Sequence, residues 1–217
     1  MSGPLRSVVH SIEVESYAIL RRRLDTSDLL PLTRAVVERV VHASADPSWA
    51  GDLVCDEDAL RAGRAALLRG APLVTDVRMV AAGITARPAT VALDLPDVGE
   101  LAASDGLTRS AAGIRAAVRR HPVGAVWVLG NAPTALVELL RCAAEGRVST
   151  PLVIGLPVGF VGSVAAKAAL RAASRAAGRD GWAVGAVSNR SERGGAAVAA
   201  AAVNALLYSA DPDEEDP

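Results

Sequence analysis

His42 lies within the run Arg39-Val40-Val41-His42-Ala43-Ser44-Ala45-Asp46, at the expected end of a helix that leads into a loop. The chain holds three histidines and two cysteines, so few of its side chains exchange protons near neutral pH. An unperturbed imidazole, with a pKa of about 6.5, both donates and accepts there. Helical spacing puts Arg39 one turn before His42 and Glu38 four residues before it, on the same side. An arginine so placed suits a carboxylate of a ligand while the histidine handles a proton. On spacing alone, a histidine that merely ends or packs a helix is the better fit, and Glu38 has Arg34 as an alternative partner.

Other candidates sit near expected loops and helix starts. Ser16 shares a stripe with Ile12, Ile19 and Leu20 on the first helix, where a serine commonly bonds back to its own backbone. Thr85, Arg87 and Arg109 are polar groups that solvent alone would explain, and Asp76 and Arg78 could pair with each other. His10 falls in an exposed leader, and His121 precedes Pro122 at a helix end, where the helix dipole favours it. Cys55 and Cys142 stand far apart and read as small buried hydrophobes of a reducing compartment. No metal-ligand spacing is present. GxGxxG, GxxxxGK[ST] and GxSxG are all absent, which leaves a nucleotide site or a serine nucleophile without support.

The elements that must position these residues follow from hydrophobic patterning. At 217 residues and 22.2 kDa, with 51% apolar residues, the chain is long enough for one well-packed α/β domain, expected over 10–208. One Phe, two Tyr and three Trp leave the core to Ala, Val and Leu. Residues 1–9 read as a loose leader, and 209–217, with the acidic run from Asp211, as a tail that does not fold. Helices are expected from a cap at Ser11 to Arg23, over 32–41, and over 57–68 between a cap at Asp56 and Gly70. From Pro72 onward, strands at 73–75, 90–93, 125–129, 152–154 and 182–187 alternate with helices at 77–83, 108–120, 132–145, 160–177 and 195–208. Continuous apolar strands with intervening helices predict a flavodoxin-like, doubly wound parallel sheet in three layers. Ligands of such sheets sit beyond the carboxyl ends of the strands. Glycine-bearing turns after three strands deliver helix N-termini there, a setting that favours anions. Asn131 is the expected cap of one of those helices.

A net charge of -1 and a pI near 6.3 argue against a nucleic-acid protein. Arginine carries nearly all the positive charge, Lys167 being the only lysine, and guanidinium is the better bidentate partner for carboxylates. The apolar stretches are broken well before membrane-spanning length, so a cytoplasmic protein is expected.

Several segments resemble the precorrin-8X methylmutase family of cobalamin (vitamin B12) synthesis, in order and over about residues 10–208. They are Ile12–Ile19, Arg39–Ala43, Gly70–Thr85, Thr108–Ala112, Gly130–Leu136 and Pro157–Gly162. Arg78 departs from the family pattern, which often has an acidic residue there. The resemblance implies a flavodoxin-like fold, a homodimer with tetrapyrrole pockets near the subunit interface, and an isomerase that moves a methyl group from C-11 to C-12 of a polycarboxylate macrocycle. It implies no cofactor, because the methyl group never leaves the substrate. It places the catalytic histidine at His42 and substrate contacts at Ser16 and Arg39, with Thr85 and Arg109 in further family motifs. A non-catalytic tetrapyrrole carrier would use the same pocket, and a generic anion-binding α/β module is a more distant alternative.

Overall fold

Val126, Val128, Leu152 and Ile154 pack into one apolar cluster, and their neighbours Trp127, Leu129 and Val153 into another. This alternation with both faces buried is what a sheet sandwiched between helices requires. The computed structural model describes residues 10–180 and 184–209, with backbone alone for 176–180. In chain order the elements are α1 (Ser11–Arg23), α2 (Pro31–Ser44), α3 (Trp49–Asp52), β1 (Leu53–Cys55), α4 (Glu57–Leu68), β2 (Leu73–Thr75), α5 (Arg78–Gly83) and β3 (Thr90–Val91). They continue with α6 (Val98–Ser104), α7 (Arg109–Arg120), β4 (Val126–Leu129), α8 (Pro133–Ala144), β5 (Thr150–Gly155), α9 (Ser163–Asp180), β6 (Val184–Asn189) and α10 (Ala196–Tyr208).

The sheet order is β1-β6-β5-β4-β2-β3, parallel throughout except for β1. Its five parallel strands therefore follow the flavodoxin-like order, with the switch of direction between β2 and β4. Helices α2, α4, α5 and α10 share one apolar cluster with the sheet, and α7, α8 and α9 share the other. Gly185 shows how closely α4 approaches: a Cβ there would lie 2.3 Å from the Pro151 carbonyl oxygen and 2.4 Å from Ala59 Cβ. The Asp56 cap is present, accepting from Ala59 N at 3.1 Å, and Gly70 follows α4 with φ 88°.

Three expectations change. Residues 90–93 do not form one strand: β3 ends at Val91, and a 3-10 turn over Ala92–Asp94 sends Leu93 N to the Asp76 carbonyl. His10, not Ser11, caps α1, its Nδ1 accepting from Ile12 N at 3.2 Å. Ala132, not Asn131, occupies the cap position of α8. Three elements were not anticipated: α3, α6, and β1, whose Leu53, Val54 and Cys55 pair antiparallel with Asn189, Ser188 and Val187. The expected leader, the acidic run and positions 182–183 of the last expected strand lie outside the described residues, while Ser209 bonds back to Ala205 at the end of α10.

Away from the candidate site, Glu138 joins α7 to α8, accepting from Arg115 at 2.8 Å and from Arg141 at 2.8 and 3.0 Å. Burial alone would raise its pKa, but the two guanidinium groups outweigh it and pull the carboxyl from 4.5 down to about 2. A depressed carboxylate contributes stability that is full above its unfolded pKa and is lost as pH falls through the folded value. Glu138→Gln is therefore expected to lower stability by roughly 1–3 kcal/mol at pH 7. It should also flatten the decline between pH 4.5 and about 2, as read by urea unfolding across that range.

Candidate active site

The carboxyl end of the sheet holds a buried carboxyl group of its own at the switch between β2 and β4. Asp76 is 1% exposed and accepts from Val77 N, Gly130 N, Asn131 N and Ala132 N at 2.8–3.2 Å. Burial pushes its carboxyl above the ordinary value while the four amides pull the other way. The turn that leads into α8, where an external anion was expected, thus gives three of its amides to an internal carboxyl group. Arg78 does not pair with Asp76; it meets Asp94 at 2.7 Å.

The predicted residues gather instead where α1 lies on α2. Helix α2 begins with Pro31, and its first free amides, Leu32 N and Thr33 N, donate to the Glu57 carboxylate of α4 at 3.1 and 2.8 Å. It ends at Ala45 in the left-handed region (φ 53°), a turn that aims Asp46 at Ser48 and Arg193. The Arg193 guanidinium also lies 4.3 Å over the Trp49 ring, which pins the segment just beyond His42. Lys167 fixes the loop after β6 that carries Arg193. Wholly buried, its Nζ donates to the carbonyls of Ser191 and Arg193 at 2.5 and 2.7 Å, and burial pushes its pKa down to about 8.

Helix α1 is tied to α2 by two ion pairs. Arg21 meets Glu38 at 2.8 Å, and Thr26 donates to the same carboxylate at 2.7 Å. Burial acts to raise the Glu38 pKa, but Arg21 and Thr26 hold it below the usual carboxylate value. Glu38 thus belongs to Arg21, while Arg34 turns to the backbone carbonyls of Thr26 and Ser27. Arg39 donates to Glu13 at 2.7 Å and to the Tyr17 hydroxyl at 3.3 Å. Burial would lower the Arg39 pKa; these two partners more than compensate and raise it.

Between the two ties, Ser16 Oγ lies 3.0 Å from His42 Nδ1. The Tyr17 ring stacks on the imidazole with centroids 4.8 Å apart and planes within 4°. A hydrogen bond at one nitrogen and a ring against one face fix the imidazole's orientation and leave Nε2 without a hydrogen-bond partner among the described residues. His42 lines an open depression of about 410 Å³ with His10, Ile12, Glu13, Ser16 and Arg39. Beyond Arg39 lies a second cleft of about 460 Å³, walled by Tyr17, Asn204 and Tyr208 among others. Thr85 stands on its margin, donating its backbone N–H to Asn204 Oδ1 at 3.3 Å, with its hydroxyl 2.8 Å from the Tyr208 hydroxyl. The structure therefore brings Ser16, Arg39 and His42 together and places Thr85 at the next cleft. Arg109 is not brought in: it is the exposed first residue of α7, beside Thr108, which bonds Thr134 at the start of α8.

The precorrin-8X methylmutase family model matches residues 11–209. The chain belongs to the precorrin-8X methylmutase family. As a methylmutase it is an isomerase of cobalamin biosynthesis. A precorrin-8X methylmutase of Pseudomonas aeruginosa is 40% identical over 198 residues, covering 88% of this chain and 91% of that protein. A cobalt-precorrin-8 methylmutase of Methanocaldococcus jannaschii is 37% identical, over 79% of this chain and 77% of its own length. The solved precorrin-8X methylmutase from Thermus thermophilus superposes with a TM-score of 0.78 at 30% identity, covering 90% of this chain and 93% of that one.

Tyr17 and Glu13 were missed by sequence reasoning. The signal was present: both lie four residues or fewer from Ser16 on α1, and Tyr17 is one of two tyrosines in the chain. Tyr17→Leu, which removes the stack on His42, is expected to cost about 1 kcal/mol more than Tyr17→Phe, which keeps the ring. Urea unfolding of the two variants checks the difference.

Proposed function

We propose that the chain moves a methyl group from C-11 to C-12 of precorrin-8X, or of its cobalt counterpart, with His42 as the proton-transfer group. The observation that carries this reading is the fixed imidazole: Ser16 at Nδ1, Tyr17 against the ring, and Nε2 without a hydrogen-bond partner among the described residues. A 1,5-sigmatropic methyl shift rearranges the conjugation of the macrocycle, so protonating a ring atom changes its barrier. The imidazolium gives its proton to the macrocycle, the methyl group migrates, and the imidazole takes the proton back. No proton is gained or lost overall, which suits an isomerisation. General acid–base help of this kind is worth about 10²–10⁴-fold. The remaining acceleration comes from holding the ring and stabilising the displaced charge.

Arg39 is the cation closest to His42 in sequence and in the cleft, and it binds a carboxylate of the macrocycle rim. Ser16 orients the imidazole and contacts the substrate, and Thr85 stands at the margin of the second cleft through Asn204 and Tyr208. Arg109 stands apart within one chain, and a homodimer is the arrangement in which it reaches a substrate held by the partner. The exposed apolar turn after β5, with Phe160 95% and Val161 89% exposed, offers that dimer a surface.

Incubation with precorrin-8X and, separately, with cobalt-precorrin-8 should give the spectral change to hydrogenobyrinate or its cobalt form. Binding without conversion of either would instead make the chain a carrier. His42→Ala is expected to lose turnover by about 10²-fold or more while still retaining product. An unchanged rate would remove His42 from the proton transfer.

A further inference from the structure

Two depressions flank one ion pair. The cleft beside His42 and the cleft beside Tyr208 share two lining residues, Glu13 and Arg39, whose side chains meet at 2.7 Å. The Glu13–Arg39 pair is therefore the wall between them. Neither side chain is deeply buried, at 19% and 22% exposure, so the pair can part without unpacking the core. Each depression, at about 410 and 460 Å³, is smaller than a tetrapyrrole with its full set of acid side chains; joined, they make a trough running from Ser16 and His42 to Tyr208 and Thr85.

Resting on the reading above, we infer that Glu13 is a gate: its carboxylate occupies Arg39 in place of a substrate carboxylate and is displaced when the macrocycle binds. The exchange conserves charge at Arg39, because one carboxylate leaves as another arrives. Arg39 keeps the Tyr17 hydroxyl as a second acceptor throughout, so the guanidinium stays aimed while its partner changes. The tie between α1 and α2 survives the exchange, since Arg21–Glu38 holds the two helices independently and Thr26 of the connecting loop bonds the same carboxylate. A ligand with no carboxylate at this position gains nothing to offset the broken pair, so the gate also selects. Glu13 is thus a positioning and specificity residue rather than a catalytic one.

The gate withholds part of the binding free energy from every carboxylate ligand, because the competent state has the pair already broken. Removing the internal competitor should return it. Titration of the full-length protein with hydrogenobyrinate is expected to show Glu13→Gln binding roughly two- to fivefold more tightly than wild type, a range set by the worth of a part-exposed ion pair. Glu13→Ala should do the same, which guards against a new bond made by the amide. In turnover assays KM should fall by a similar factor, and by more than any change in kcat. A merely structural Glu13 would instead leave both variants less stable with weaker or equal binding, and that result overturns the gate. If the wild-type chain binds no hydrogenobyrinate, the functional reading fails and the gate with it; if wild type binds and the variants bind no better, the gate alone fails.

Discussion

Helix α10 is built largely from alanine and valine, and its residues from Val198 to Leu206 are buried against the sheet on one side and α2 on the other. Small side chains let the helix axes come close, and Val36 and Val40 of α2 are fully enclosed as a result. That close approach is the constraint the rest of the structure obeys. It commits one face of α2 to the core and leaves Glu38, Arg39 and His42 along the side that α1 covers. Helix α1 has little apolar grip of its own, with Leu20 its one buried residue, so ion pairs and the Tyr17 ring hold it in place.

This division explains why the site stands away from the usual ligand crevice of a doubly wound sheet. At the crevice between β2 and β4, Asp76 accepts from the amides of Gly130, Asn131 and Ala132, the turn that leads into α8. An external anion would find those donors taken. The candidate site lies instead on a pair of helices laid over the sheet, where α2 contributes the imidazole and α1 the groups that orient it.

The parallel strands could be read from the sequence because both faces are buried, giving apolar runs as plain as Val126-Trp127-Val128-Leu129. The Asp56 cap and Gly70 stop were equally legible, since each acts within a few residues. β1 was not: three residues carry no period, and their strand state comes from pairing with β6 more than a hundred residues away. The strand expected at 90–93 breaks after Val91 because the chain there turns back onto the Asp76 carbonyl, again a distant partner. At the site, spacing along α2 put Arg39 beside His42, and the family motifs added Ser16. Neither showed that Tyr17 stacks on the imidazole or that Glu13 holds Arg39, because both depend on how α1 is rotated against α2.

Lys167 has a consequence beyond the loop it holds. It is the chain's single lysine and it is wholly enclosed, so the described surface offers no ε-amine and draws its positive charge from guanidinium groups. Guanidinium stays charged at any pH the fold survives, so raising the pH through the range where lysines discharge leaves the cationic side of that surface intact. An amine-reactive reagent meets this lysine only when the Ser191–Arg193 loop lifts away, and its labelling rate counts those openings one molecule at a time.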